Sequence, residues 1–486
     1  MGLSWKRILT EWGDLAMNLI ILIPVILYMI VILGIGVYSS KKIQSTTDYL
    51  VAGRRLSPLV LAATLSATVI DGGSTLGIVG NSYGKWGVSA IWYIIAMGIA
   101  LILMGIVAPK LRSTGADTVP EYFRLRYGKT AGLFHSILTI VSMVGLVAAQ
   151  LKASATVVEV MTGLDYNTSL LIVAAVITIY SMLGGLWGVA LTDILQLLLI
   201  VIGMTAAIPC ALHMSGGWRV IQGSLAENTL NLTGGIGGWT EILGYILLFL
   251  TAFTVGEEVA SGFFAASNNK AARKGAWIAG VIVIAFSAIP VILGVIMQSM
   301  YNNNLLNYGV VQALDMDAKY ALPALAVKSM PSVIVGVLFA GILAATMSSA
   351  DSSLLGAGSV YSHDIYHVFV NPEASQEKVV GVARVTMVFV MTLSFFAAIY
   401  GGNILTILAF SFGIRAAGTF VPYLMGHLWK KGNAWSCNIA ILAGTLVFLW
   451  AYAFGHGASH AWPIFPGLVV SGIVYLILSL CMKNKI

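Results

Sequence analysis

Apolar blocks long enough to cross a bilayer follow one another through almost the whole chain, with short polar gaps between them. A hydrocarbon core about 30 Å thick needs roughly 20 apolar helical residues to span it. A window of that length gives thirteen spans, at 15–38, 57–80, 88–109, 132–160, 166–186, 190–212, 239–265, 275–299, 332–358, 379–400, 404–427, 435–455 and 463–482. Water is absent from a bilayer core, so backbone amides and carbonyls there must pair within the chain, and blocks of this length do so as helices. The expected fold class is an all-α integral membrane protein with about 13 transmembrane helices. Charge supports this: 9% of residues are charged, against about 25% in an average soluble domain. The run at 15–38 has no small-residue cleavage site and is read as a span, not as a removable signal.

Basic residues set the expected orientation. With the N-terminus outside, inner loops hold eighteen of the 26 Lys and Arg residues, among them Lys41, Lys42, Lys430, Lys483 and Lys485. Outer segments hold six, including Lys6 and Arg7, and Lys152 and Arg415 fall within spans. That bias predicts N-terminus out, C-terminus in, and an odd number of crossings. The net charge of +7 therefore reflects membrane topology, and no nucleic-acid partner is expected. Cys210, Cys437 and Cys481 show neither metal-ligand spacing nor a disulfide framework.

Ionisable groups inside a membrane are costly and mark functional candidates. Here they are Asp71 in span 2, Lys152 and Glu159 in span 4, Asp193 opening span 6, Glu257 and Glu258 in span 7, Asp351 in span 9 and Arg415 in span 11. Pairing with one another is the competing explanation, strongest for Lys152, Glu159, Glu258 and Arg415. Span 2 carries Asp71-Gly72-Gly73-Ser74-Thr75 at its middle. A glycine pair weakens a helix, and a break at this depth is tolerated only where backbone lines a polar cavity, as in many secondary transporters. A break is expected near Asp71. In span 9, Ala345, Ser348, Ser349 and Ser352 are spaced to share one helix face. Hydroxyl and carbonyl oxygens of this kind suit a hard cation such as sodium, although serines also serve as plain interhelical hydrogen-bond partners.

Four segments together resemble the sodium:solute symporter family: Asp48-Tyr49-Leu50-Val51-Ala52-Gly53-Arg54-Arg55-Leu56, Thr118-Val119-Pro120-Glu121-Tyr122-Phe123, Gly184-Gly185-Leu186-Trp187-Gly188 with Thr192-Asp193 after it, and Ala344-Ala345-Thr346-Met347-Ser348-Ser349. The resemblance implies a leucine-transporter-type core of two inverted five-helix repeats, at 57–212 and 239–427, the first helix of each broken near Asp71 and near Gly256, with an extra helix at 15–38 before it and two more at 435–482. It implies a sodium site at the carbonyls of Val69, Gly72 and Ala345 and the hydroxyls of Ser348 and Ser349. Some members bind a second sodium, and that site maps to Asp193, Ser348, Asp351 and Ser352. Family members often have serine where Asp351 stands.

The expected function is sodium-coupled symport of a small organic solute across the cell membrane, with sodium, the solute and lipid as partners, no obligatory protein partner and no enzymatic activity. Solute contacts are expected at Asp71, Gly73, Ser74, Thr75, Gln150 and Glu257. Acids at both broken helices favour an amino acid or another amine-bearing solute. A monocarboxylate, a nucleobase and a vitamin-like acid are the alternatives. A channel would normally show a repeated pore motif or charged rings, and a sensor would add a signalling module, which is not expected after span 13. Seven histidines form no close-spaced metal motif.

Overall fold

Every named element among the described residues is helical, which is how a chain at membrane depth satisfies its own backbone. The structure is a computed structural model, and it describes residues 19–40, 51–429, 431–455 and 461–481. The ends of the first and last spans, the loop residues Asp48, Tyr49 and Leu50, and the basic residues Lys6, Arg7, Lys41, Lys42, Lys430, Lys483 and Lys485 lie outside the described residues.

The chain begins with α1 (Leu19–Ser40) and α2 (Pro58–Val69), which Ser57 caps through the Val60 amide. α3 (Ile91–Ser113) and α4 (Lys129–Thr162) follow. α4 stops at Gly163, whose positive φ of 71° lets its amide return to the Glu159 carbonyl. Asp165 then caps α5 (Tyr166–Met214). Here the structure departs from the expected pair of spans at 166–186 and 190–212, because both lie in one helical element of 49 residues. A straight helix of that length would run about 74 Å, more than twice the hydrocarbon thickness. It is not straight. The Tyr180 hydroxyl meets the Thr192 hydroxyl at 2.8 Å, although twelve straight helical residues would separate them by about 18 Å.

The second half of the chain holds α6 (Trp239–Val255) and α7 (Glu257–Ala265), then α8 (Asn269–Phe286) and α9 (Ala288–Asn302). It continues with α10 (Ser332–Ser359), α11 (Gln376–Tyr400), α12 (Ile404–Leu428), α13 (Ala434–Phe454) and α14 (Ile464–Cys481). Ten helices among the described residues are long and apolar enough to cross a membrane, and eleven if bent α6–α7 counts as one. Two shorter apolar helices, Pro58–Val69 and Tyr166–Met182, stand where the sequence placed spans 2 and 5. The count of thirteen is thus not reached on length alone, since broken and sharply bent spans fall short of that criterion.

Both expected breaks are present. α2 ends at Ile70 (φ −84°, ψ 85°), and helix resumes at Gly73–Gly77 with the wider π pairing. α6 and α7 meet at Gly256 (φ −87°, ψ 122°) with a bend of 55°. Small residues let other helices pack closely. Gly98 of α3 and Gly280 of α8 each lie against the other's backbone carbonyl, and Gly341 of α10 lies against the Leu199 carbonyl of α5. α10 is the most enclosed long helix: 83% of its apolar window is buried, against 28% for α1. It forms the centre on which the site is built.

Candidate functional site

The break after α2 frees backbone groups that need partners, and Gln150 of α4 supplies them. Its Oε1 accepts the Gly72 amide at 2.8 Å, and its Nε2 donates to Asp71 Oδ2 at 2.8 Å. Ser74 closes the turn: its amide donates to Asp71 Oδ1 at 2.9 Å, and its Oγ accepts the Asp71 amide at 2.7 Å. The Thr75 hydroxyl donates to the Asp71 carbonyl at 2.6 Å. Gly73 lies against Leu405 and Leu408 of α12. A narrow cavity of about 20 Å³ adjoins the break, lined by Thr68, Val69, Asp71, Gln150, Glu258 and Ser349 with an apolar wall that includes Met97, Phe253 and Phe412. Asp71 and Gln150 therefore reach the chamber, whereas Ser74 and Thr75 are buried and spend their hydroxyls on the break itself.

Adjacent serines on α10 point to different neighbours, because successive helical residues are about 100° apart. The Ser349 hydroxyl donates to the Thr68 carbonyl at 2.8 Å and lies 3.3 Å from the Ala345 carbonyl. Val69 lines the same cavity. The Gly72 carbonyl accepts the Gly77 amide at 3.0 Å. α10 runs unbroken through Ala345, so that carbonyl stays in the helix ladder. Sequence reasoning missed Thr68. The signal was its place in the last turn of α2, where carbonyls lose their helical partners.

The Ser348 hydroxyl donates to Asp193 Oδ1. Asp193 does not open a helix: it sits well inside α5, so its carboxylate serves the contact with α10 and not a helix end. Asp351 accepts a hydrogen bond from Ser181. Asp193 Oδ2, Asp351 Oδ2 and Gln196 Oε1 are buried with no hydrogen-bond partner among the described residues. Three unpaired acceptors in a dry region are costly, and a proton, a water or a cation would each relieve them. The Gln196 amide nitrogen donates to the Tyr28 hydroxyl of α1 at 2.9 Å, a contact that span-by-span reading does not reveal. Ser352 opens instead into a smaller pocket with Asp117 and Glu257.

Glu257 is not brought into the central chamber. Its Oε2 accepts the Val119 amide at 2.9 Å, at the start of the short helix Val119–Tyr127 that Thr118 caps. Glu258 and Arg415 form a buried ion pair through both guanidinium terminal nitrogens. Lys152 donates to the carbonyls of Gly401 (3.2 Å) and Gly402 (2.8 Å), just past the end of α11. Glu159 accepts the Tyr320 hydroxyl at 2.8 Å. Pairing thus accounts for Glu258 with Arg415, while Lys152 and Glu159 each satisfy a different neighbour. Beyond the break lies a second, larger cavity of about 460 Å³, lined in part by Asn81, Lys152, Asp317 and Lys319. Burial lowers the pKa of Lys319 from the ordinary lysine value, and Asp317 opposes that shift.

With this geometry in place, comparison is informative. The profile of the Sodium:solute symporter family matches residues 49–444. The chain is 25% identical over 480 residues to a sodium/pantothenate symporter of Haemophilus influenzae, covering 95% of this chain and 96% of that protein. It is 26% identical over 494 residues to a sodium/proline symporter of Salmonella typhimurium, covering 96% and 94%. Among solved structures, a substrate-bound, outward-open Na+-coupled sialic acid symporter aligns with a TM-score of 0.82 at 21% identity, over 96% of this chain and 99% of that one. At that identity the likeness speaks for the fold, which is of the leucine-transporter type.

Proposed function

The chain belongs to the sodium:solute symporter family, and from that membership we propose how its residues carry out symport. It is a multi-pass membrane transporter, not an enzyme; sodium is its coupling ion and a small organic solute its cargo. The observation that carries the mechanism is the pair of adjacent serines on α10. Ser349 joins the last turn of α2, and Ser348 joins Asp193 of α5. Sodium held by the carbonyls of Val69, Gly72 and Ala345 and the hydroxyls of Ser348 and Ser349 would tie α2 to α10. A second sodium would sit at Asp193, Ser348, Asp351 and Ser352, where the orphan carboxylate oxygens support a cation.

Binding at these sites favours an outward-open chamber that the solute completes, and both ligands together favour inward opening. This is a reciprocal coupling of two sites. The membrane potential supplies about 2.3 kcal/mol per charge per 100 mV. The solute occupies the chamber at Asp71 and Gln150, with the Gly73–Thr75 turn holding the break behind them. An amino acid or another amine-bearing solute is the favoured cargo, since Asp71 presents a carboxylate there and one relative carries proline in its name. The chain would lie in the plasma membrane with thirteen crossings, N-terminus out and C-terminus in. Repeats at 57–212 and 239–427 would be flanked by helices at 15–38 and 435–482, with no obligatory protein partner.

Uptake of a labelled solute panel into proteoliposomes, with and without an inward sodium gradient, tests the reading. Saturable uptake that collapses when the gradient is dissipated is the expected result. Uptake indifferent to sodium would overturn it.

A further inference from the structure

A groove unrelated to the solute path opens on the membrane face between α4, α11 and the continuation of α10. There the helix widens to π pairing over Val360–Val370. The groove offers about 960 Å³, at the upper end of the 300–1,000 Å³ of a typical small-molecule pocket. Its walls include Ile137 and Val141 from α4 and Val385 and Phe389 from α11, which are 46%, 43%, 70% and 61% exposed. Gly381 lies on its lining, and a Cβ there would meet nothing within 4 Å, so the space above it is open and a larger side chain would enter it. Lys378, in the first turn of α11, is the one charged residue of the lining.

An apolar trough at membrane depth with a single cation at one end matches an amphiphile whose head is anionic. We infer that the groove binds one anionic phospholipid, its phosphate at Lys378 and an acyl chain laid over Gly381 between Ile137, Val141, Val385 and Phe389. Under the orientation proposed above, the lipid belongs to the inner leaflet, where basic pockets between helices recruit anionic headgroups. The site borders the extension of the helix that carries Ser348 and Ser349, so occupancy holds the inner end of α10 in the arrangement seen here. The lone cation at the end of an exposed apolar trough selects an amphiphile with an anionic head as the occupant.

The test is native mass spectrometry of the full chain, released from vesicles of phosphatidylethanolamine and phosphatidylglycerol. Wild type is expected to keep one phospholipid through detergent exchange, enriched in phosphatidylglycerol. Lys378→Gln should keep a lipid but lose about fivefold of that enrichment, the effect of one lysine near a headgroup. Gly381→Leu should lose the lipid. If Gly381→Leu melts below wild type, Val385→Trp blocks the groove from its exposed rim instead. A retained lipid in the filled groove, or an unchanged headgroup preference in Lys378→Gln, would overturn the assignment. The readout is independent of transport, so a wrong solute or sodium site leaves it intact.

Discussion

The Ser349 hydroxyl donates to the Thr68 carbonyl at 2.8 Å, across 281 residues of sequence. It joins the most enclosed long helix among the described residues to the last turn of a broken one. A carbonyl at such an end lacks its helical partner, so the bond is also the place where an ion could replace a hydroxyl proton.

Removing that oxygen should weaken sodium binding without unfolding the chain. A hydrogen bond or ligand contact to a charged group contributes about 1.5–3 kcal/mol, which corresponds to roughly ten- to hundredfold in affinity. Ser349→Ala and Ser348→Ala should each raise the sodium concentration for half-maximal uptake by about tenfold or more. Sodium dependence that stays at the wild-type value in both variants would exclude the site.

Asp193 separates cation binding from simple packing. Asp193→Asn keeps the size and the acceptor for Ser348 but removes the charge. If the buried Oδ2 faces a cation, the variant should fold with a wild-type melting temperature yet show altered sodium affinity or stoichiometry. Proteoliposome uptake at matched protein amounts reads this directly, and a wild-type sodium curve would leave Asp193 a packing residue only.

The Glu258–Arg415 pair is structural, by its burial and bidentate geometry. Arg415→Met strands a buried carboxylate, and breaking a buried pair costs about 3–5 kcal/mol. The double variant Glu258→Gln with Arg415→Met should recover most of that loss, since neutral partners no longer carry the desolvation penalty. Thermal melting in detergent compares the three proteins. Equal melting of the single and double variants would contradict the assignment.

Gly72 is constrained by contact. A Cβ there would stand 2.6 Å from Ala153 Cβ and 3.0 Å from Gln150 Oε1, both carried by α4. Overpacking of this kind costs about 1–3 kcal/mol, and it would push Gln150 off the break. Gly72→Ala should lower both melting temperature and uptake. Gly34→Ala, where nothing lies within 4 Å, should change neither. Normal uptake by Gly72→Ala would mean that the break does not depend on Gln150.

Much of the architecture was legible because membrane depth leaves a chain few choices. Long apolar runs announce helices, and Gly72-Gly73 announced the first break, while the family resemblance implied the second at Gly256. The bend inside α5 was harder to place, because an apolar run looks the same whether it is one bent helix or two. Side-chain destinations were harder still. Glu257 and Glu258 are neighbours in sequence, yet one accepts the Val119 amide and the other pairs with Arg415. Neither destination leaves a local signal, since each partner lies more than a hundred residues away.

Residue types and their periodicity, then, determined that this chain crosses a membrane many times, interrupts the helix that carries Gly72-Gly73 and carries hydroxyls on one face of α10. Those properties depend on neighbours within a few turns. Which oxygens meet was decided only by tertiary packing. Gln150 spans the break, Thr68 of a distant helix receives Ser349, and Tyr28 of the first helix reaches Gln196. A hydrogen bond acts over about 3 Å, and only the packing of distant helices brings such groups within that distance.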